Sequence, residues 1–154
     1  MLSRTAEYLY WISRYMERAE TTARLLDVGY RMSLFPNPSG YNNEWESVLS
    51  AAGAIEGYKN KYDTIEQKNV EDYLFFDESN PSSVYNCILN ARNNALVVRT
   101  SFTPESWLAI NKTYQEILNL KEKKFTKSDL PDLTEWTIEP VSYTHLRAHE
   151  TPAN

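Results

Sequence analysis

Glutamates and arginines at helical spacing near the start of the chain are the first residues whose types and positions suggest chemistry. Glu7, Glu17 and Glu20 alternate with Arg14 and Arg18. Carboxylates on helices are the raw material of di-iron centres, but such centres also need Glu-x-x-His pairs on facing helices. The only histidines are His145 and His149, both close to the C-terminal end. A single cysteine, Cys87, rules out an internal disulfide and leaves a zinc shell without enough ligands. With no histidine beside it, Cys87 has no base to activate it and reads as a buried structural residue. A glycine-rich phosphate loop and a Gly-x-Ser-x-Gly elbow are both missing. No catalytic set, no metal and no cofactor is expected.

The two histidines lie in a segment of a different kind. Residues Val141 to Thr151 read Val-Ser-Tyr-Thr-His-Leu-Arg-Ala-His-Glu-Thr. This string resembles the in-frame translation of a transposase adapter used to prepare DNA libraries. Two further adapter bases, ct, precede that frame, so codon 140 can encode only Ser, Pro, Thr or Ala, and the residue there is Pro140. The expectation is a native part spanning residues 1–140, with no histidine, followed by an adapter-derived tail at 141–154.

Composition narrows the class. At 154 residues one domain is expected, on a prior of roughly 100–200 residues per domain. Apolar residues make up 42% and charged residues 24%, with 4 glycines against 11 tyrosines, which disfavours sandwiches built on glycine turns. A net charge of −5 gives no positive field to gather phosphates, so nucleic acid is not expected as a partner. No run approaches the ~20 apolar residues of a membrane span. The start reaches Glu7 without an apolar segment behind a basic end, unlike a signal peptide. A cytoplasmic location follows as the expectation.

Hydrophobic spacing supplies the elements that must position these side chains. Leu9, Ile12, Met16, Ala19, Ala23, Leu26 and Tyr30 recur three and four apart, predicting a long helix over 4–34 with Ser3 or Thr5 as its cap. Trp11, Tyr15 and Thr22 widen that seam, and core packing is expected for Trp11, Trp45 and Trp107. Glu20, Arg24, Asp27 and Arg31 form opposite-charge pairs on the same helix. Asn43 and Glu46 suggest a capping box before a second helix ending near Gly57. Val70, Tyr73, Leu74 and Phe76 suggest a short third helix, after a polar connection. Asn80-Pro81 reads as a cap and first residue of a fourth helix over 81–101, whose seam is Val84, Ile88, Ala91, Ala95, Val98 and Phe102. Thr103-Pro104 repeats the device before a fifth helix over 104–122. The predicted class is all-α, an antiparallel bundle of about five helices with the fourth lying along the first.

These residues resemble a known family. Leu2-Ser3-Arg4-Thr5-Ala6-Glu7, Arg14-Tyr15-Met16-Glu17-Arg18-Ala19-Glu20, Asn80-Pro81-Ser82-Ser83, Ala91-Arg92 with Asn94-Ala95, Arg99, and Trp107 with Asn111 are similar to the alpha-E family, whose Glu-Arg motif falls on Glu17-Arg18. Asn93 departs from the acidic residue usual at that position. The resemblance implies a bacterial setting beside an ATP-grasp amide-bond ligase, a transglutaminase-like protease and sometimes a proteasome-like peptidase. It also implies a truncated protein, because family members run to about twice this length. Apolar surface is then expected where absent helices would dock.

On a helical wheel Glu7, Arg14 and Arg18 fall within about forty degrees of one another, beside Trp11 and away from the seam. Together with Glu17, and with Arg92 or Arg99 of the fourth helix, they would line a polar groove suited to a carboxylate-bearing peptide. A solvated face of intrahelical pairs is the alternative. Three functions follow as expectations: an auxiliary binding protein working with the ligase and protease, an enzyme of peptide or amide metabolism completed by downstream residues, or a structural component of a dimer; a homo-oligomer is a possible assembly.

Overall fold

In the computed structural model, which describes residues 2–35 and 43–123, the first seam becomes a single helix, α1 (Leu2–Ser33). Ile12, Met16, Ala19, Ala23 and Leu26 are buried along it, with Leu9 and Tyr30 half-buried towards its ends. The helix already includes Ser3 and Thr5, so neither precedes it as a cap. Apolar spacing specifies a face, not a first residue. Arg24 pairs with Glu20 at 2.7 Å and Arg31 with Asp27 at 2.9 Å, as the charge pattern predicts.

The second helical segment is divided. Helix α2 (Asn43–Ala51) ends well before Gly57, and α3 (Ile55–Lys59) follows. The break is a Schellman turn on Gly53, whose φ of 65° is the left-handed conformation that glycine adopts freely. Gly53 N–H donates to the Ser50 carbonyl at 3.0 Å and Ala54 N–H to that of Leu49 at 2.9 Å, satisfying the last carbonyls of α2. The expected cap at Asn43 lies outside the described side chains. Trp45 and Leu49 are fully buried, and Gly29 of α1 lets this short helix lie close.

Helix α4 (Gln67–Phe75) starts earlier than its apolar residues suggest. Helix α5 (Val84–Val97) starts later than Asn80-Pro81 predicts, because Asn80 is committed elsewhere. Its amide donates to the Tyr73 carbonyl at 3.0 Å and its oxygen accepts from Ser82 N–H at 3.0 Å, tying the end of α4 to the turn. The N-cap is Ser83, whose hydroxyl accepts from Asn86 N–H. A 3-10 turn (Arg99–Ser101) follows α5, and α6 (Pro104–Glu122) begins as predicted, with Thr103 as cap and Pro104 in the first turn.

The architecture is the predicted all-α bundle, with six α-helices among the described residues. Helix α5 runs along α1: Ile12 and Met16 share a cluster with Ala91, Ala95 and Val98, whereas Ala19 and Leu26 share the other with Val84, Cys87 and Ile88. The start of α1 therefore meets the end of α5, and the two are antiparallel. Helix α6 reverses again, with Ile110 in the first cluster and Ile117 in the second. Trp45 belongs to the core and Trp107 packs at its edge, but Trp11 is 43% exposed and does not belong there. It sits at the border of a seam wide enough only for the residues facing α5. No described helix is long and apolar enough to cross a membrane. Large apolar residues exposed at the surface include Met32, Leu34, Phe35, Val97 and Leu108.

Two features give measurable stability effects. A Cβ on Gly29 would meet Val48 Cγ2 at 2.7 Å and the Trp45 ring at 3.0 Å. Gly29→Ala recovers roughly 1 kcal/mol of helix propensity, but overpacking against a stiff β-branched neighbour costs about 1–3 kcal/mol. The substitution should lower the melting temperature by a few degrees, followed by circular dichroism; a rise would show that α2 yields freely.

Burial alone would raise the pKa of the Asp77 carboxyl, yet hydrogen bonds from Lys61 and Ser79 outweigh it and hold it below its ordinary value. A depressed folded-state pKa contributes stability above the unfolded value and loses it as pH falls through the folded one. Urea midpoints should accordingly drop below pH about 4, and Asp77→Asn should flatten that acid slope while weakening the fold at neutral pH.

Candidate functional site

The polar face of α1 carries the charged residues singled out by spacing. Arg14 donates to Glu17 at 2.9 Å, one turn away, and both are substantially exposed. Arg18 follows Glu17 directly, one turn beyond Arg14, and makes no ion pair or side-chain hydrogen bond with another described residue. These three residues border a cleft of about 360 Å³ between α1, the end of α2 and the turn before α5.

The cleft exists because its far wall is low. Ala51 and Ala52, at the point where the Gly53 turn redirects the chain, present only methyl groups. Ser82 closes the third side, held in place by its N–H bond to Asn80. The amino-terminal end of α5 begins two residues further on and adds the partial positive charge of a helix start.

Two hydroxyls complete the lining. The Thr21 hydroxyl donates to the Glu17 backbone carbonyl at 2.9 Å. Thr22 is only 4% exposed and donates to no described residue. No fully buried side-chain nitrogen or oxygen among the described residues lacks a partner, so the Thr22 hydroxyl opens onto the cleft that this residue lines. The result is a cationic guanidinium with neighbouring hydroxyl donors, beside an Arg14–Glu17 pair that nearly cancels itself. That set suits an oxyanion, because guanidinium to carboxylate bonds are charge-assisted and directional.

Cys87 lies buried beneath this region. Burial pushes its thiol up to about 11, against the pull of the Arg18 charge. It is protonated at neutral pH and packed among Ala19, Val84 and Ile88, which suits a core role.

Spacing placed six residues in one groove, and the structure brings three of them together. Arg14, Glu17 and Arg18 share the cleft, while Glu7 lines a separate one nearer the start of α1. Arg92 is turned towards α6: its Nε donates to Asn111 Oδ1 at 2.9 Å and its guanidinium lies 4.7 Å from the Tyr114 ring centre. Asn111 in turn donates to the Trp107 carbonyl at 3.2 Å, so Arg92 fastens α5 to α6. Arg99 is exposed in the 3-10 turn and borders neither cleft. Thr22 and Ser82 join the site beyond the residues that charge spacing picks out; a hydroxyl at the edge of the seam and a serine directly after a proline are the signals that could have found them.

Among the described residues no group of three or more His, Cys, Asp or Glu side chains could hold a metal ion. The histidines of the tail, Pro140 and Trp136 lie outside the described residues.

An all-helical domain whose Glu-Arg dipeptide borders a polar cleft defines the class of protein. The chain belongs to the Alpha-E family, described as a predicted alpha-helical domain with a conserved ER motif, whose model matches residues 1–150. The match runs past Pro140 through most of the segment that reads as adapter. No curated protein and no solved structure matches the chain.

A thiol this deeply packed should resist alkylation. Iodoacetamide is expected to leave Cys87 unmodified in the native protein and to label it fully in urea, as read by mass spectrometry. Rapid native labelling would show that the core above it opens readily.

Proposed function

We propose that this chain is an auxiliary, non-catalytic binding protein of peptide metabolism, which takes a carboxylate-bearing peptide into the cleft at Arg18. It acts beside an ATP-grasp amide-bond ligase and a transglutaminase-like protease in the bacterial cytoplasm. The partnership rests on the family resemblance, and the choice of ligand rests on the cleft. The observation that carries the reading is Arg18, without an ion-pair partner among the described residues, lining one cleft together with Thr22 and Ser82. Arg14 is engaged by Glu17, which leaves one net positive charge for the ligand. A carboxylate answers that charge and accepts from both hydroxyls.

Binding of a short peptide with a free C-terminal carboxylate, compared with its amide, tests the ligand. The acid should bind and the amide should not. Arg18→Ala should weaken the acid by about ten- to a hundredfold, the equivalent of one charge-assisted hydrogen bond. Arg18→Lys should fall between, since an ammonium lacks the planar fork. Equal affinity for acid and amide would sink the reading. For the partnership, capture of neither ligase nor protease by the tagged protein in its own cells would count against it.

A further inference from the structure

The second cleft, about 290 Å³ near the start of α1, is bordered by Arg4, Glu7, Tyr8, Trp11, Tyr15 and Asn94. It shares no residue with the Arg18 cleft. We propose that it binds a free α-amino acid with an aromatic or large apolar side chain.

Charge is the first argument. Arg4 and Glu7 are opposite charges one turn apart, a spacing that puts their Cβ atoms roughly 5–6 Å from one another. Such pairs commonly close on themselves, as Arg14 and Glu17 do at the same separation. Arg4 and Glu7 do not: neither forms an ion pair with the other or with another described residue, and both are exposed. A cleft that offers one open cation and one open anion side by side is complementary to a zwitterion. A ligand of single charge would meet attraction from one group and repulsion from the other.

Order along the helix is the second. Arg4, Glu7 and Trp11 stand at successive turns of one face. Arg4 is in the first turn of a helix 32 residues long, where the helix dipole also favours an anion. This assigns the ligand carboxylate to the Arg4 end and its ammonium to Glu7, so the side chain points towards Trp11. The carboxamide of Asn94, from the facing α5, can donate to the carboxylate or accept from the ammonium.

The third argument is the exposed indole. Trp11 is 43% exposed, a costly arrangement for so large an apolar ring. It makes an edge-on ring contact with Tyr10 at 5.4 Å and a tilted one with Tyr15 at 6.0 Å. The indole surface left exposed beside the cleft is available to a ligand side chain. The volume suits a single amino acid and is at the lower limit of small-molecule pockets, about 300 Å³.

Calorimetric titration of the full chain with L-phenylalanine tests the assignment. Phenethylamine lacks the carboxylate and 3-phenylpropionate lacks the ammonium. L-Phenylalanine should bind saturably, and each analogue at least about tenfold more weakly, because one charge-assisted contact is lost. Glu7→Gln and Arg4→Gln should each weaken L-phenylalanine to a similar degree with unchanged circular dichroism, and Trp11→Ala should abolish binding. Arg18→Ala should leave the affinity unchanged, which separates this site from the peptide cleft. Absence of saturable binding at millimolar L-phenylalanine would overturn the proposal. So would either analogue binding as well as the amino acid, or a loss that follows Arg18→Ala instead of Glu7→Gln.

Discussion

The contact between α1 and α5 is the constraint on which everything else depends. Its centre is made of alanines: Ala19 and Ala23 on one helix, Ala91 and Ala95 on the other, all with no exposed surface. Small side chains bring the two axes together, and larger residues such as Ile12, Met16, Leu26 and Ile88 fill the space around them. Because the seam is narrow, the residues just outside it emerge at the rim instead of vanishing into the core. Tyr15, half-buried, and Trp11, exposed, occupy such rim positions. Enlarging an alanine here would push the helices apart and change both clefts at once.

The two clefts illustrate how similar local charge patterns reach different ends. Arg14 and Glu17 close into a pair and leave Arg18 as the open group. Arg4 and Glu7 have the same spacing and stay apart. Arg92, by contrast, is spent on structure, holding Asn111 and lying over Tyr114. Through Asn111, which donates to the Trp107 carbonyl, Arg92 is tied into a two-bond chain between α5 and α6.

Much of the fold is legible in the sequence. The seams on α1, α5 and α6 are read directly from apolar spacing, and the Thr103-Pro104 start of α6 from local backbone chemistry. The misjudged boundaries share a cause. Asn80 looks like a cap because capping is local, but its amide serves the distant carbonyl of Tyr73. Gly57 looks like a helix end, whereas Gly53 is the residue with the left-handed backbone. The candidate site was half legible: a wheel shows that Glu7, Arg14 and Arg18 share a side, and their numbering already sets Glu7 about 10 Å or more from the other two along the axis, but neither shows which partners close each cleft. Ser82, Ala51 and Ala52 join the cleft through tertiary packing, to which no spacing along α1 refers.

Helix α1 is unbroken from Leu2 to Ser33, and both clefts are cut into it. The axial distance from Glu7 to Arg18 is therefore set by the rise of an α-helix, about 16 Å at 1.5 Å per residue. No loop intervenes to stretch or shorten it. In extended polypeptide that length corresponds to about five residues at roughly 3.3 Å each. The helix is thus a ruler as well as a scaffold, fixing how far apart the two clefts stand along it.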